Sequence, residues 1–309
     1  MSQAEFNDLN QEAEQFFAET NTCHWFVRPL TISTEELANP LAFSILLHSD
    51  INQFDFLLRN IYRSFNSYCI HVDSKASSDL YESIEKRVQC VTNIFLPERR
   101  LNVSWGTFSV LEAERLCQSV LLQRSSQWKY YFNLANTDIP LKTNLEIVRI
   151  LQLFHNQNDV TSMLYRSQVR QQTKFNEDKR LNKMSNRLHK GEFHVLLTRK
   201  AVEFIHQDSR AIDYYQFLNG TEVPDEHFYS TINRWKETPG YYPHDHDLGT
   251  GSFMTRYKIW SDRPEALLCR GYFVRTICIF NFNDLWHLAT TPHFFANKFL
   301  FEQDRRLPY

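Results

Sequence analysis

Two nearly continuous apolar runs with a helix-patterned segment between them constrain the fold most: LAFSILLH at 41–48, FDFLLRNIYRSF at 54–65 and SYCIHVD at 67–73. The outer runs have the length of buried strands, and the middle one spaces its apolar residues as a helix does. Strand, helix and strand in that order close as a parallel βαβ unit, normally right-handed. The alternation continues downstream. TNIFLP (92–97) reads as a short strand and FSVLEAERLCQSVLLQR (108–124) as an amphipathic helix. KYYFNLANTDIPLKTN (129–144) is a strand that breaks into a loop at Asn136, carries Asp138 and closes at Pro140; LEIVRILQLFHN follows as a helix with Asn144 as its N-cap. FHVLLTRKAVEFI (193–205) is strand then helix, and VRTICIF (274–280) a late buried strand. PDEHFYSTINRW (224–235) opens on Pro224 and two acids, the composition of a helix N-terminus. The chain is therefore α/β, with a mixed, mostly parallel sheet flanked by helices. No repeat, low-complexity tract or Gly/Ser linker divides it, so one continuous domain is expected. The polar, basic, weakly periodic stretch 156–190 reads as a mobile or substrate-facing loop.

Composition excludes several functions. Among 309 residues, 25 Phe and 14 Tyr against 7 Gly make a dense, aromatic-rich core, and a net charge of −2 gives no electrostatic case for nucleic acid or an anionic membrane. There is no phosphate-binding G-x-x-x-x-G-K-[ST] loop, no G-x-G-x-x-G and no G-x-S-x-G elbow. No apolar run approaches the roughly 18 residues of a membrane span, and the first 22 residues are too polar for a signal peptide. Six cysteines include no CxxC pair, which counts against a zinc knuckle, while their even number permits three disulfides. Two sequons, Asn102–Val103–Ser104 and Asn219–Gly220–Thr221, point the same way, toward a secretory lumen. The polar start conflicts with that location, so a shortened N-terminus is expected, where a membrane anchor would otherwise stand.

Candidate site residues follow from chemistry. In YCIHVDSK (68–75), His71 and Asp73 alternate onto one face of a strand, at its carboxyl end, where open α/β sheets place ligands. An ordinary core strand running out into a polar turn explains them equally well. Asp225 and Glu226 begin a helix that needs at most one of them as a cap, leaving the other for general-base work. The acids of HDHD (244–247) lie in a Pro- and Tyr-rich turn, better suited to solvent than to a metal. Arg275, flanked by apolar residues, needs an anionic partner if it is partly buried, and Lys298 in FFANKF is similarly placed. Two such cations fit a diphosphate.

Taken together, LAFSILLHSD, YCIHVDSK, VSWGTFSVLEAE, YYFNLANTDIPLKTNLEIV, GEFHVLLTRKAVEFI, VPDEHFYSTI, TRYKIW, VRTICIFNFNDL and HFFANKF resemble the core-2/I-branching β-1,6-N-acetylglucosaminyltransferases, in order and over about residues 23–300. The resemblance implies a GT-A-type glycosyltransferase over 23–309 after a stem-like segment 1–22. It would be inverting and independent of metal, moving GlcNAc from UDP-GlcNAc onto a Gal/GalNAc-containing O-glycan. By this likeness Leu46, His48 and Asp73 lie near the uridine, Arg275 and Lys298 hold the diphosphate, Glu226 is the catalytic base, and Trp260 with Asp225 faces the acceptor. It implies the bridges Cys23–Cys90, Cys69–Cys117 and Cys269–Cys278, and residence in the Golgi lumen as a type II membrane protein through an anchor absent from this chain.

Departures concentrate on the acceptor side. Thr161 stands where the family has an acceptor-contacting glutamate, Asp262 replaces an aromatic residue, SMLYRSQVRQQTKF aligns poorly, and the chain stops at Tyr309 before the family's C-terminal segment. UDP-sugar use is thus better supported than any one acceptor. A peptide O-xylosyltransferase using UDP-xylose, or a non-catalytic sugar-nucleotide or glycan-binding relative, are the alternatives.

Overall fold

In a computed structural model, residues 32–89, 91–164, 188–241 and 253–301 are described. Cys23, Cys90, the segment 1–22, HDHD at 244–247 and most of the basic stretch lie outside them. The N-terminal half alternates as its sequence pattern requires: α1 (Thr34–Ala38), β1 (Leu41–Leu47), α2 (Ile51–Ile61), β2 (Ser67–Val72), α3 (Ser78–Val88), β3 (Ile94–Phe95), α4 (Phe108–Arg124) and β4 (Tyr130–Ala135). Then come β5 (Ile139–Pro140), α5 (Asn144–Leu153), β6 (Asp159–Val160), β7 (Met163–Leu164), β8 (His189–Lys190), β9 (Val195–Thr198), α6 (Arg199–Gln207), α7 (Ser209–Phe217) and α8 (Pro224–Ile232). The last stretch holds β10 (Arg256–Tyr257), β11 (Tyr272–Val274), β12 (Ile277–Ile279), α9 (Leu285–Thr290) and β13 (Phe295–Ala296).

Six strands form one sheet in the order β3-β2-β1-β4-β9-β6. β3, β2, β1 and β4 run parallel, while β9 is antiparallel to both β4 and β6. The sheet is therefore mixed, and its parallel half is the part the βαβ pattern announced. Strand alternation sorts β1 between two cores. Leu41, Phe43, Ile45 and Leu47 pack with α2, α5 and Ile84 of α3, whereas Ala42 faces the layer built by α4, α6, α7 and α8. A third cluster, around Ile139, Ile259, Cys278, Phe280 and Phe299, supports the small β10-β13-β5 sheet.

Three local expectations are corrected. The N-cap of α5 is Thr143, in a capping box with Glu146; Asn144 is buried inside the helix start, bonded to Glu36 and Asn66. VRTICIF is not one buried strand: Arg275 and Thr276, with φ of 47° and 71°, form the two-residue turn of the β11–β12 hairpin, whose first strand is exposed. Such positive φ values match the turn that lets a tight hairpin follow strand twist. Cys69 and Cys117 are free, buried thiols in side-chain contact between β2 and α4, not a disulfide. Cys269–Cys278 is bonded and ties the hairpin to the chain that precedes it.

Candidate active site

The carboxyl ends of β1 and β2 lie side by side, Leu47 in register with Val72, and the Asp73 N–H donates to the Leu47 carbonyl. Leu46, His48 and Asp73 thereby share one end of the sheet. The Asp73 carboxylate accepts from the Lys75 N–H at 2.8 Å and lies 3.4 Å from Lys75 Nζ. Arg100 fastens the turn from behind, donating to the carbonyls of Val72, Asp73 and Ala76. His71 takes the structural role: buried, with Nε2 accepting from the Leu101 N–H, it is pushed down to about 4, chiefly by burial, so it is neutral at pH 7.

Glu226 comes from the first turn of α8. Pro224 fills the opening position, and the N-cap residue, Val223, supplies no side-chain cap. Lys190 Nζ lies 3.0 Å from Glu226 Oε2. Asp225 is buried, its Oδ1 has no hydrogen-bond partner among the described residues, and burial, then the Glu226 charge, lift its carboxyl to about 7 against the pull of Lys190 and Lys258. Near Asp225 stands Glu114 of α4, fully buried and raised to about 8, first by burial, with the Tyr131 hydroxyl donating to its Oε1 at 3.4 Å. The amphipathic reading of α4 placed no acid inside; its buried face in fact carries Glu114, Arg115 and Gln118 beside Leu111, Cys117 and Leu121.

From Glu226 a file of charged and polar side chains crosses to the other end of the site, in which His194 is neutral at pH 7, pushed down to about 3 first by burial. Lys258 Nζ, near Asp225, is 2.7 Å from Glu192 Oε2. Burial opposes ionisation of Glu192, yet Lys258 above all holds it below its ordinary range. Beyond it, His194 Nε2 is 3.5 Å and Arg256 Nη2 3.2 Å from Asp138 Oδ2, all buried. Burial would raise Asp138, but Arg256 and His194 outweigh it and set the carboxyl at about 2. Asn297 and the Ala135 N–H also donate to that carboxylate. The neighbour of Asn297 is Lys298, half-buried, lowered first by burial and then by Arg275, with Asp138 opposing. Arg275 thus stands beside Lys298, but on the exposed hairpin turn, not inside a strand.

Trp260 pairs with Ile277, the residue that follows the hairpin turn, and Lys258 Nζ lies 5.8 Å from its ring. Asp262 is exposed, and the Thr161 carbonyl packs against Gly191. The base, the ring and the two terminal cations are therefore linked through residues that the sequence reading left without a role: Lys190, Glu192, His194, Arg256 and Lys258. Lys190, Glu192 and His194 alternate along the segment from β8 toward β9, and Arg256 and Lys258 alternate through the end of β10; that spacing is visible in the sequence, but not that the two segments meet. An open cavity of about 590 Å³, lined by Gly106, Glu112 and Asn219 among others, contains none of these residues.

The chain matches a family model for the core-2/I-branching enzyme over residues 41–286. It is similar to a human N-acetyllactosaminide beta-1,6-N-acetylglucosaminyl-transferase, 34% identical over 286 residues, covering 87% of this chain and 70% of that protein. A human beta-1,3-galactosyl-O-glycosyl-glycoprotein beta-1,6-N-acetylglucosaminyltransferase is 32% identical over 296 residues, covering 89% and 69%. A solved galactosyltransferase in complex with donor and acceptor sugar analogs overlaps at a TM-score of 0.28 and 10% identity, covering 59% of this chain and 68% of that one, too loosely to carry an argument.

Proposed function

This chain belongs to the core-2/I-branching enzyme family, and from that premise we propose that it transfers GlcNAc from UDP-GlcNAc, in β-1,6 linkage and with inversion, to a Gal/GalNAc-containing O-glycan. The observation that carries this reading is the file of charged and polar side chains from Glu226 to Lys298 and Arg275, which joins a candidate base to a candidate diphosphate site.

In this reading Asp73, Leu46 and His48 receive the nucleoside. Glu226 takes the proton from the acceptor hydroxyl as its oxygen attacks the anomeric carbon from the face opposite UDP. The new C–O bond forms while the bond to the β-phosphate breaks, so an α-linked donor gives a β-linked product. Negative charge gathers on the departing phosphate, and fixed cations that meet it lower the barrier. Arg275 offers two parallel N–H bonds and Lys298 a point charge. With both cations present, the chemistry a divalent metal supplies elsewhere falls to these side chains, which is why the reaction is proposed to need none. Trp260 packs on the apolar face of an acceptor sugar.

A lumenal, Golgi setting belongs to the same proposal and is supported by the Cys269–Cys278 bridge, which persists in oxidising compartments. Among the described residues no helix is long and apolar enough to cross a membrane.

The test is incubation with UDP-GlcNAc and a Galβ1,3GalNAc-aryl acceptor in EDTA, with UDP-xylose and a serine-rich peptide in a parallel reaction. Branched, β-linked trisaccharide is the expected product. Transfer only from UDP-xylose, or a strict metal requirement, would refute the reading.

A further inference from the structure

Between Glu226 and Trp260 the structure holds a second pair of opposite charges. Glu192 Oε2 and Lys258 Nζ are 2.7 Å apart, with the carboxylate side chain 22% exposed and the lysine side chain 8%. The carboxylate is thus the less covered of the two. Both are held by main chain. The residue before Glu192, Gly191, donates its N–H to the Glu226 carbonyl at 2.7 Å. A Cβ on Gly191 would come 1.8 Å from the Thr161 carbonyl oxygen, so no side chain separates this segment from its neighbours. On the other side, Lys258 lies one residue beyond β10, and the next carbonyl, of Ile259, accepts from the Cys278 N–H. The pair cannot drift from the base at one end or from the Trp260 ring, 5.8 Å from Lys258 Nζ, at the other.

Resting on the reaction proposed above, we propose that Glu192 and Lys258 form an acceptor subsite that recognises two neighbouring hydroxyls of an uncharged sugar and turns away acidic ones. An ammonium has three donors and a carboxylate two oxygens with about four lone-pair sites, so after their mutual bond each retains capacity. One sugar hydroxyl donates to Glu192 and the adjacent oxygen accepts from Lys258, a two-point contact that fixes the ring over Trp260 and aims its primary hydroxyl at Glu226. Because the pair neutralises itself, a sulfate or carboxylate on the acceptor finds no net cation there. It meets the more exposed Glu192 first, and like charges so placed are repulsive. The sugar class is therefore a neutral hexose or N-acetylhexosamine with adjacent free hydroxyls.

The experiment measures binding and turnover separately. Galβ1,3GalNAc-aryl and the same disaccharide carrying a sulfate are titrated into the UDP-loaded intact chain and its Glu192→Gln and Lys258→Met variants; UDP affinity and thermal unfolding are measured in each. Glu192→Gln weakens binding of the neutral acceptor about tenfold, in line with loss of one charged hydrogen bond, and narrows the preference over the sulfated one, since Lys258 is then uncompensated. Lys258→Met weakens neutral binding similarly but admits no sulfated sugar. UDP affinity stays within twofold in both. Should either folded variant bind both acceptors as the wild type does, or lose UDP affinity in step, the subsite is refuted. If Glu192→Gln does not fold, Lys258→Met alone decides by the same criteria. Failure of the reaction itself shows up differently, as wild-type protein that binds acceptor and UDP without forming product.

Discussion

Lys190 Nζ meets Glu226 Oε2 at 3.0 Å, while one residue along the Gly191 N–H donates to the Glu226 carbonyl at 2.7 Å. One oxygen of the candidate base thus meets a cation. The lysine comes from β8, whose His189 accepts from His227 and Thr231 of the same helix, so the base and its partner move as one piece.

Replacing Glu226 by Gln removes the proton acceptor without changing shape. Transfer is expected to fall about 10²- to 10⁴-fold, the usual contribution of a positioned base, while calorimetry shows UDP binding unchanged. Activity near wild type would remove Glu226 from the mechanism.

Arg275→Ala should lower UDP affinity about tenfold, the loss of charged hydrogen bonds to phosphate, and leave the melting temperature nearly untouched because the side chain is exposed. Arg275→Lys restores only part of the affinity, since a lysine cannot bond bidentately.

Opening the Cys269–Cys278 bridge by Ser substitution frees the hairpin that carries Arg275. Bridges typically contribute about 2–4 kcal/mol. We expect a lower unfolding temperature together with weaker UDP binding; intact UDP affinity would show that the hairpin holds its place without the bridge.

Gly191→Ala forces a methyl into the Thr161 carbonyl and Ser230 Oγ, 1.8 and 2.3 Å from the ideal Cβ. Overpacking of this kind costs about 1–3 kcal/mol or more. Chemical denaturation is the measurement, and an unchanged midpoint would refute the tight packing of β8 on α8.

Glu114 gives a pH signature. Burial raises its carboxyl from an ordinary 4.5 to about 8, so between these values the folded state holds a proton that the unfolded state has released. Stability from this group is complete below about pH 4.5, declines as pH rises and is fully lost above about 8, with a slope of at most about 1.4 kcal/mol per pH unit. Glu114→Gln cannot titrate, so the stability of the variant relative to wild type should climb across that window and level off above it. Parallel curves would show that Glu114 is ionised in the fold. Asp225, raised to about 7, adds a decline of the same sign in both proteins.

Much of the scaffold was written in local pattern. β1, β2, β4 and the helices 108–124 and 224–232 lie where apolar spacing and Pro224 put them, because a strand or helix of that length must bury its apolar face whatever surrounds it. His71 and Arg275 were less legible. Strand alternation set His71 beside Asp73 but could not tell a ligand contact from a bond to the Leu101 N–H thirty residues on. Arg275 looked buried because its neighbours are apolar, yet it opens the turn that follows the exposed strand β11, and only the pairing of β11 with β12 reveals it.

By itself the sequence determined the alternation of elements, the parallel half of the sheet, the helix-borne acid pair and the likeness that names the family. Tertiary structure alone decided that Lys190 meets Glu226, that Lys258 meets Glu192 and that Asp138 is shared by Arg256 and His194. The reason is range: burial periodicity acts within one turn or one strand, whereas an ion pair forms only after separate strands have been brought within a few ångströms, and nothing in the linear order encodes that distance.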